Sequence, residues 1–259
     1  MIDNMRKHLQ FLLAACLLAS GAYSVHAQNR ADRQNLENED SFSMIILGDP
    51  QGYTKYDINQ PIFELCTAWI ADNVEHLNIK AVLCTGDMVE QNENITMNRK
   101  MLNQTSREMW ESASRSMARL DGKVPYIISG GNHDYGYQKS ENGRTKLPEY
   151  FPFERNSCWR DCLVADFPNR NGDISMENAA FEFHDKNWGD ILVITTEFAP
   201  RPDVLDWARD LAGSEKFRGH KVIAMTHSYL KQRSAELSCT TSSDRVKKRE
   251  AEHERSSKN

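Results

Sequence analysis

The sequence has no excess of basic residues and no internal repeat. Its 259 residues contain 32 lysines and arginines against 37 aspartates and glutamates, so the formal net charge is −5 at pH 7. A nucleic-acid-binding protein usually presents a broad basic surface, and this balance argues against that class. Because no repeat and no long internal linker divides the chain, its length predicts one large domain.

Cysteine is scarce, and no pair has the Cys-x-x-Cys spacing that is typical of a structural zinc site. Five of the six cysteines follow Cys16. Cys66 and Cys84 fall within apolar patterns, so we expect them to be small core residues. Cys158 and Cys162 share a loop and are close enough in sequence to form a disulfide. The odd number leaves at least one thiol free.

The chain also lacks an apolar run of the length that a confident membrane span requires. The apolar run at 9–22 follows basic residues and precedes a small-x-small cleavage site at Val25-His26-Ala27. This order is typical of a secretory signal peptide, so residues 1–27 are predicted to be cleaved off and the protein to be secreted or periplasmic. The alternative is a lipoprotein that is anchored through Cys16.

After a polar linker at 28–41, buried-strand patterns alternate with helical ones. The predicted elements are strand 44–47, helix 62–77, strand 79–84, helix 99–120 and strand 124–128. Alternation of this kind predicts a parallel sheet that is built by βαβ crossovers. The apolar face predicted for the first helix consists of Ile62, Leu65, Cys66, Trp69, Ile70, Val74 and Leu77.

The second half of the chain differs in pattern. Residues 135–177 are irregular, and so long an excursion predicts a loop that shapes a substrate site. Strands at 179–184, 191–194 and 221–225, with a helix at 202–212, follow. Their close spacing and partial alternation predict a second sheet packed on the first. Residues 231–259 are rich in charge and poor in apolar periodicity, so the domain is predicted to end at 230 and a disordered polar tail to follow.

Polar side chains follow several of these strands at the point where each strand ends. They are Asp49, Gln51, Asp87, Asn132, His133 and His227. Ligands of open α/β sheets bind at the carboxyl ends of the strands, so these loops are expected to converge. Oxygen and imidazole ligands without a thiolate suit Mn, Fe, Zn or Mg, and a carboxylate can bridge two such ions. The sequence therefore predicts a metal site that acts on phosphate.

Four short blocks resemble the calcineurin-like metallophosphoesterase family. They are Gly-Asp-Pro-Gln at 48–51, Gly-Asp-Met-Val-Glu at 86–90, Gly-Asn-His-Asp at 131–134 and Thr-His at 226–227. The glutamine of the first block, where Asp-x-His is commoner, resembles the branch of a single-domain serine/threonine phosphatase. Segments 205–209 and 226–230 resemble exported bacterial members. The resemblance implies an α/β fold, a four-layer α/β/β/α sandwich of two mixed sheets.

The resemblance also implies a role for each matching residue. Two divalent ions would be bound by Asp49, Gln51, Asp87, Asn132 and His227. Asp87 would bridge both ions, and Gln51 would bind weakly, through its amide oxygen or a water. His133 would contact the phosphoryl group or protonate the leaving oxygen, oriented by Asp134. A metal-bridging hydroxide would attack phosphorus, so the implied function is hydrolysis of phosphomonoesters or phosphodiesters, on a small molecule or a phosphoprotein.

One block of the family has no match in this sequence. The family's closing Gly-His-x-His supplies two further imidazoles, whereas His220 lacks the second histidine and precedes the final strand, and His253 has no strand pattern around it. Both histidines are predicted to lie on the surface. The domain is thus expected to be incomplete at its C-terminus, as in a truncated or frameshifted gene. The alternative to an enzyme is a remnant that binds metal or phosphate weakly.

Overall fold

The computed structural model describes residues 35–93, 102–137 and 140–228. The predicted signal peptide with Cys16, the first part of the linker, Cys239, and the polar tail with His253 all lie outside these ranges. Within them, no helix is both long enough and apolar enough to cross a membrane.

Seven strands of the described residues form two sheets. They are β1 (Ser43–Leu47), β2 (Ile79–Cys84), β3 (Tyr126–Ile128), β4 (Leu163–Asp166), β5 (Ala179–Asp185), β6 (Gly189–Thr195) and β7 (Lys221–Met225). The first sheet has the order β1-β2-β3 and is parallel throughout. The second has the order β4-β5-β6-β7, antiparallel except for the parallel pair β6–β7. Two sheets are confirmed. Over the described residues, the second sheet is mixed and the first is purely parallel.

The α-helices are α1 (Gln51–Thr54), α2 (Gln60–Asn73), α3 (Ser106–Met117), α4 (Leu147–Tyr150) and α5 (Pro202–Gly213). Helix α3 begins later than the predicted start at residue 99, since the described residues 102–105 are not helical. Its start is set by a capping box: the Thr105 hydroxyl accepts from the Glu108 N–H, and the Glu108 carboxylate accepts from the Thr105 N–H. Reciprocal bonds of this kind satisfy N–H groups that a helix leaves unpaired at its first turn.

Burial along the strands shows how the layers are stacked. On β5 and β6, Phe181 and Val193 join the large core that also contains the first sheet and helices α2 and α3. The alternate residues Ala180 and Leu192 join a smaller core with α5. Because successive side chains of a strand point to opposite faces, the second sheet lies between the first sheet and α5. This is the predicted α/β/β/α sandwich, in which the main core includes α2, α3, the first sheet and the inner face of the second sheet.

The buried face of α2 differs from the predicted one. Phe63, Thr67 and Ile70 are buried, whereas Leu65 is 69% and Trp69 46% exposed. Apolar residues occur on more than one side of this helix, so apolar spacing did not identify the face. The core takes the stripe at i, i+4 and i+7, which is one side of an α-helix.

The excursion at 135–177 is more ordered than predicted. It contains α4 and β4, and β4 pairs with β5 at the edge of the second sheet. The Trp159 indole N–H donates to the Tyr126 carbonyl at 2.7 Å, and the Arg155 guanidinium donates to the Ser114 carbonyl at 2.6 Å. Both contacts fasten the excursion to the core, so its central part is scaffold rather than a loop over the site.

Four cysteines lie in the described part of the chain, and all are free thiols. Cys84 is buried as predicted, and burial raises the pKa of its thiol to about 12. Cys66 is only half-buried. The disulfide considered for Cys158 and Cys162 does not form; instead the Cys162 thiol donates to the Cys158 carbonyl at 3.3 Å. A thiol with a raised pKa is a poor nucleophile, so Cys84 is inert packing.

Candidate metal centre

The predicted site residues meet at one edge of the two sheets. Asp49 follows β1, Asp87 follows β2, and His227 follows β7. Each of these three offers a ligand atom, and the three atoms all lie within 4.8 Å of one another. Asn132 follows β3 in a 3-10 turn that spans Asn132–Asp134. The parallel arrangement of β1, β2 and β3 brings their carboxyl ends to the same place.

A strained turn presents the Asp87 carboxylate. Gly86 has φ of 102° and Asp87 itself has φ of 49°, a left-handed conformation that is uncommon for a residue with a side chain. Strain of this kind persists when neighbouring contacts hold it in place, and here the His133 backbone N–H donates to Asp87 Oδ1 at 2.9 Å. Burial raises the pKa of Asp87, while the His133 N–H and the His227 ring oppose that effect.

Gly131 lies directly against this carboxylate. A Cβ atom added at Gly131 would stand 2.2 Å from both the backbone nitrogen and Oδ1 of Asp87. No side chain fits at that distance, so glycine is required for the close approach of the two loops. The Gly-Asn-His-Asp block therefore requires its glycine because a side chain there would clash with Asp87. The close approach of the two loops in turn sets where Asn132 and His133 lie.

The contacts of His227 define which ring nitrogen is free for a ligand. Its Nδ1 lies 2.9 Å from the Thr85 carbonyl, which can only accept, so Nδ1 carries the hydrogen. The other nitrogen, Nε2, then has a lone pair in the neutral ring. It lies 3.2 Å from Asn132 Oδ1 and 3.4 Å from Asp87 Oδ2, two further acceptors. Three acceptor atoms that face one another fit a cation, which would satisfy all of them.

Asp49 lies in the loop that follows β1, and Gln51 begins the short helix α1 directly after it. The Gln51 backbone N–H donates to the Asp87 carbonyl at 2.9 Å, while its side-chain Oε1 is buried with no hydrogen-bond partner. A buried amide oxygen without a donor is costly unless something else satisfies it. The Asp49 carboxylate accepts from the Thr85 hydroxyl at 2.9 Å. These oxygens, with the imidazole of His227, are donors that suit a divalent ion.

The partner of the His133 ring is not the one predicted. Its Nδ1 lies 2.7 Å from the Glu90 carbonyl, so Nδ1 is the donor and Nε2 is the nitrogen available to a substrate. Asp134, which was expected to orient this ring, is buried and accepts from the backbone N–H groups of Gly131 at 3.0 Å and Val89 at 3.2 Å. Asp134 thus orders the two loops, and the ring is oriented by a backbone carbonyl.

Four contacts around the site are not predicted from the sequence. Thr85 supports both Asp49 and His227, through its hydroxyl and its carbonyl. The Phe198 ring packs edge-on against the His227 ring with 6.0 Å between centroids. The Glu90 side chain pairs with Lys55 at 3.0 Å and so restrains the segment whose carbonyl meets His133. Of these residues, Thr85 could have been singled out from the sequence, because it directly follows a strand at the site edge.

The remaining histidines of the described ranges lie away from the acidic site residues. His220 contacts the Glu182 carboxylate at 2.8 Å, and only 7% of its side chain is exposed, so its predicted surface position is wrong. It precedes β7 and therefore lies at the opposite end of that strand from His227. His184 is exposed and pairs with Asp190, and His76 is half-buried.

Replacing Thr85 with valine tests the support of Asp49. Thr85→Val removes the hydroxyl but keeps the shape and the carbonyl that accepts from His227. We expect about tenfold weaker binding of Mn²⁺, because loss of a hydrogen-bond partner that orients a ligand typically costs that much. Isothermal titration calorimetry measures the change. Thr196→Val, which removes a hydroxyl that donates to the Met225 carbonyl, is the matched control, and equal affinity in all three proteins would contradict the expectation.

Comparison with known proteins agrees with this geometry. A family model described as calcineurin-like phosphoesterase matches residues 42–254, a range that includes every predicted site residue and continues past residue 230. The uncharacterized protein YvnB of Bacillus subtilis (strain 168) is 35% identical over 119 residues. That alignment covers 45% of this chain but only 8% of the relative. The relative is uncharacterized, so it informs ancestry and not activity.

Proposed function

The chain belongs to the calcineurin-like phosphoesterase family, and we propose that it is a metal-dependent hydrolase of phosphomonoesters or phosphodiesters. The observation that carries the proposal is the convergence of acceptor atoms from Asp49, Asp87, Asn132 and His227. We further propose that it acts outside the cytoplasm, on the strength of the signal-peptide pattern at 1–27.

The residues divide into two groups around Asp87. Asp49 and Gln51 would hold one divalent ion and Asn132 and His227 a second, with Asp87 serving both. When bound, such ions withdraw electron density from phosphoryl oxygens and lower the pKa of water. The Asp87 carboxylate would be ionised in that state, because a nearby cation outweighs the effect of burial.

His133 is the site residue that would move a proton. Its Nδ1–H is engaged by the Glu90 carbonyl, so the ring has one orientation and presents Nε2 outward from that contact. A protonated Nε2 would donate to the leaving oxygen of the ester as its bond to phosphorus breaks. The backbone N–H of the same residue holds Asp87. One residue would therefore couple the position of the acid to that of a metal ligand.

Hydrolysis of chromogenic esters tests the proposal. Purified protein should release nitrophenol from p-nitrophenyl phosphate or bis-p-nitrophenyl phosphate when Mn²⁺ is added, and chelation with EDTA should return the rate to the blank. Both substrates are needed because the geometry does not separate monoesters from diesters. If neither ester is turned over above the blank with Mn²⁺, Zn²⁺, Fe²⁺ or Mg²⁺, the proposed activity is wrong.

The second candidate is a remnant that binds one ion or phosphate weakly without catalysis. Within the described ranges, His227 is the single imidazole in the group of carboxylate and imidazole ligands that includes Asp49 and Asp87. The outer strands of the described sheets also carry exposed apolar side chains, Ile46 at 73% and Val222 at 46%. Metal analysis separates the candidates: about two ions per chain supports the enzyme, and one or none supports the remnant.

A further inference from the structure

The glycine pair of the metal-site loop is held between two side chains. On one side, a Cβ added at Gly131 would meet Asp87 at 2.2 Å. On the other side, a Cβ added at Gly130 would stand 2.3 Å from the phenolic oxygen of Tyr135. Tyr135 is buried, with 2% of its surface exposed. The loop that carries Asn132 therefore has no room to move away from Asp87 while the Tyr135 ring stays in place.

A buried carboxylate fixes the position of that ring. The Tyr135 hydroxyl donates to Glu177 Oε1 at 2.7 Å, and Glu177 Oε2 accepts from the Ser175 hydroxyl at 2.6 Å and the Asn169 amide at 2.9 Å. Three donors on two oxygens match an ionised carboxylate, and hydrogen bonds to a charged group are the stronger kind. Glu177 is buried too, so solvent offers little replacement for a lost donor.

The segment that carries Glu177 is joined to both sheets. Glu177 lies in the 3-10 turn Met176–Asn178. The Met176 sulfur accepts from the Ile128 N–H on β3 at 2.9 Å, and its carbonyl accepts from the Thr195 hydroxyl on β6 at 2.6 Å. Met176 is itself part of the main core, which includes residues of both sheets. Glu177 is consequently held in place by its neighbours on both sheets. The Tyr135 hydroxyl bonds to it and so connects the metal-site loop to this segment.

We infer that Tyr135 and Glu177 are positioning residues: together they hold the Gly130–Gly131 turn against Asp87 and so place Asn132 and His133 in the metal centre. Neither residue touches the centre itself. Two hydrogen bonds from backbone N–H groups to carboxylates report on the arrangement. The Gly131 N–H donates to Asp134 at 3.0 Å, and the His133 N–H donates to Asp87 at 2.9 Å. The inference rests on the proposed function only for the ion that this loop would bind.

Amide hydrogen exchange of the full chain in EDTA tests the inference without any metal. Tyr135→Phe keeps the ring over Gly130 and removes the hydroxyl, so the Gly131 and His133 amides should exchange about tenfold faster, the effect of one lost bond to a carboxylate. Tyr126→Phe is the matched control, because it removes a buried tyrosine hydroxyl that likewise donates to a carboxylate at 2.7 Å, that of Asp121, outside the metal-site loop and its Glu177 support. Its two reporter amides should keep the wild-type rate even if its melting temperature falls.

Several outcomes would overturn the inference. They are wild-type exchange rates in Tyr135→Phe, equal acceleration of exchange in Tyr126→Phe, and reporter amides that are unprotected in the wild type. Glu177→Gln changes the acceptor rather than the donor and should accelerate hydrogen exchange of the same two amides. A wild-type exchange rate in Glu177→Gln would therefore also contradict the inference.

Titration with MnCl₂ gives the second measurement. Tyr135→Phe should bind Mn²⁺ about tenfold more weakly than wild type, and Tyr126→Phe should match wild type, since partners that orient a ligand affect metal affinity by about 10–100-fold. Wild-type protein that binds none of Mn²⁺, Zn²⁺, Fe²⁺ and Mg²⁺ would refute the proposed function, while the exchange result would still decide the positioning role. Equal Mn²⁺ affinity in wild type and Tyr135→Phe would overturn the positioning role alone.

Discussion

Gly131→Ala should weaken Mn²⁺ binding by on the order of a hundredfold, the upper range for disturbing the surroundings of a metal ligand. The added methyl group would lie 2.2 Å from the nitrogen and Oδ1 of Asp87, a separation that requires one of the two loops to shift. Either shift breaks the His133 N–H bond to Asp87 and separates Asn132 from His227. Metal affinity is read by calorimetry, and phosphoesterase activity should fall in parallel.

Gly48→Ala is the matched control for this substitution. Gly48 also lies in a site loop, immediately before Asp49, but a Cβ there would meet nothing within 4 Å and its backbone does not have a positive φ. We expect its Mn²⁺ affinity to stay within about twofold of wild type, because surface changes without a clash have small effects. Equal affinities for the Gly48 and Gly131 variants would show that the close approach of the loops does not set the metal centre.

The site loops could be predicted because their signal is local and their convergence follows from topology. The run at 79–84, which is apolar except for Lys80, reads as a buried strand, and Asp87 follows three residues after its end. The structure has the strand over the same residues, Ile79–Cys84, paired on both sides with parallel neighbours. Parallel strands bring their carboxyl ends to one edge. That rule is enough to bring Asp49, Asp87 and Asn132 together without any knowledge of side-chain contacts.

Contacts made by backbone atoms could not be predicted, since a carbonyl has no signature in the sequence. The orientation of His133 by Glu90, and of His227 by Thr85, both use carbonyl oxygens. The sequence places a carboxylate, Asp134, next to His133 and so suggests a side-chain partner. In the structure that carboxylate turns away and accepts backbone N–H groups.

The spacing of apolar residues alone also does not predict which residues pack into the core. Helix α2 has apolar residues on more than one side, and only the position of the sheet decides that Phe63 and Ile70 are buried while Leu65 is exposed. Strand β4 is four residues long and reads Leu-Val-Ala-Asp, without alternation. Its strand conformation comes from pairing with β5, a non-local contact that a short sequence window does not contain.

Asp134→Ala should lower the free energy of unfolding by about 3 kcal/mol, counting about 1.5 kcal/mol for each of two hydrogen bonds to a carboxylate. The side chain is fully buried, and its two oxygens accept from Gly131 and Val89. Burial raises the pKa of Asp134 well above its usual value, with the nearby Asp87 carboxylate adding to the effect. Denaturant unfolding in EDTA measures the loss without a contribution from bound metal.

Asp185→Ala separates a site-specific effect from a general one. Asp185 also accepts two backbone N–H groups, those of Asn187 and Trp188 at 2.9 Å each, but in the turn between β5 and β6. Its loss should reduce stability while Mn²⁺ affinity stays at the wild-type value. Asp134→Ala should reduce both the stability and the Mn²⁺ affinity, because the two N–H groups that donate to Asp134 belong to the loops that carry Asp87 and Asn132. If Asp134→Ala lost stability but bound Mn²⁺ as tightly as wild type, Asp134 would support the fold alone and the metal centre would be assembled without it.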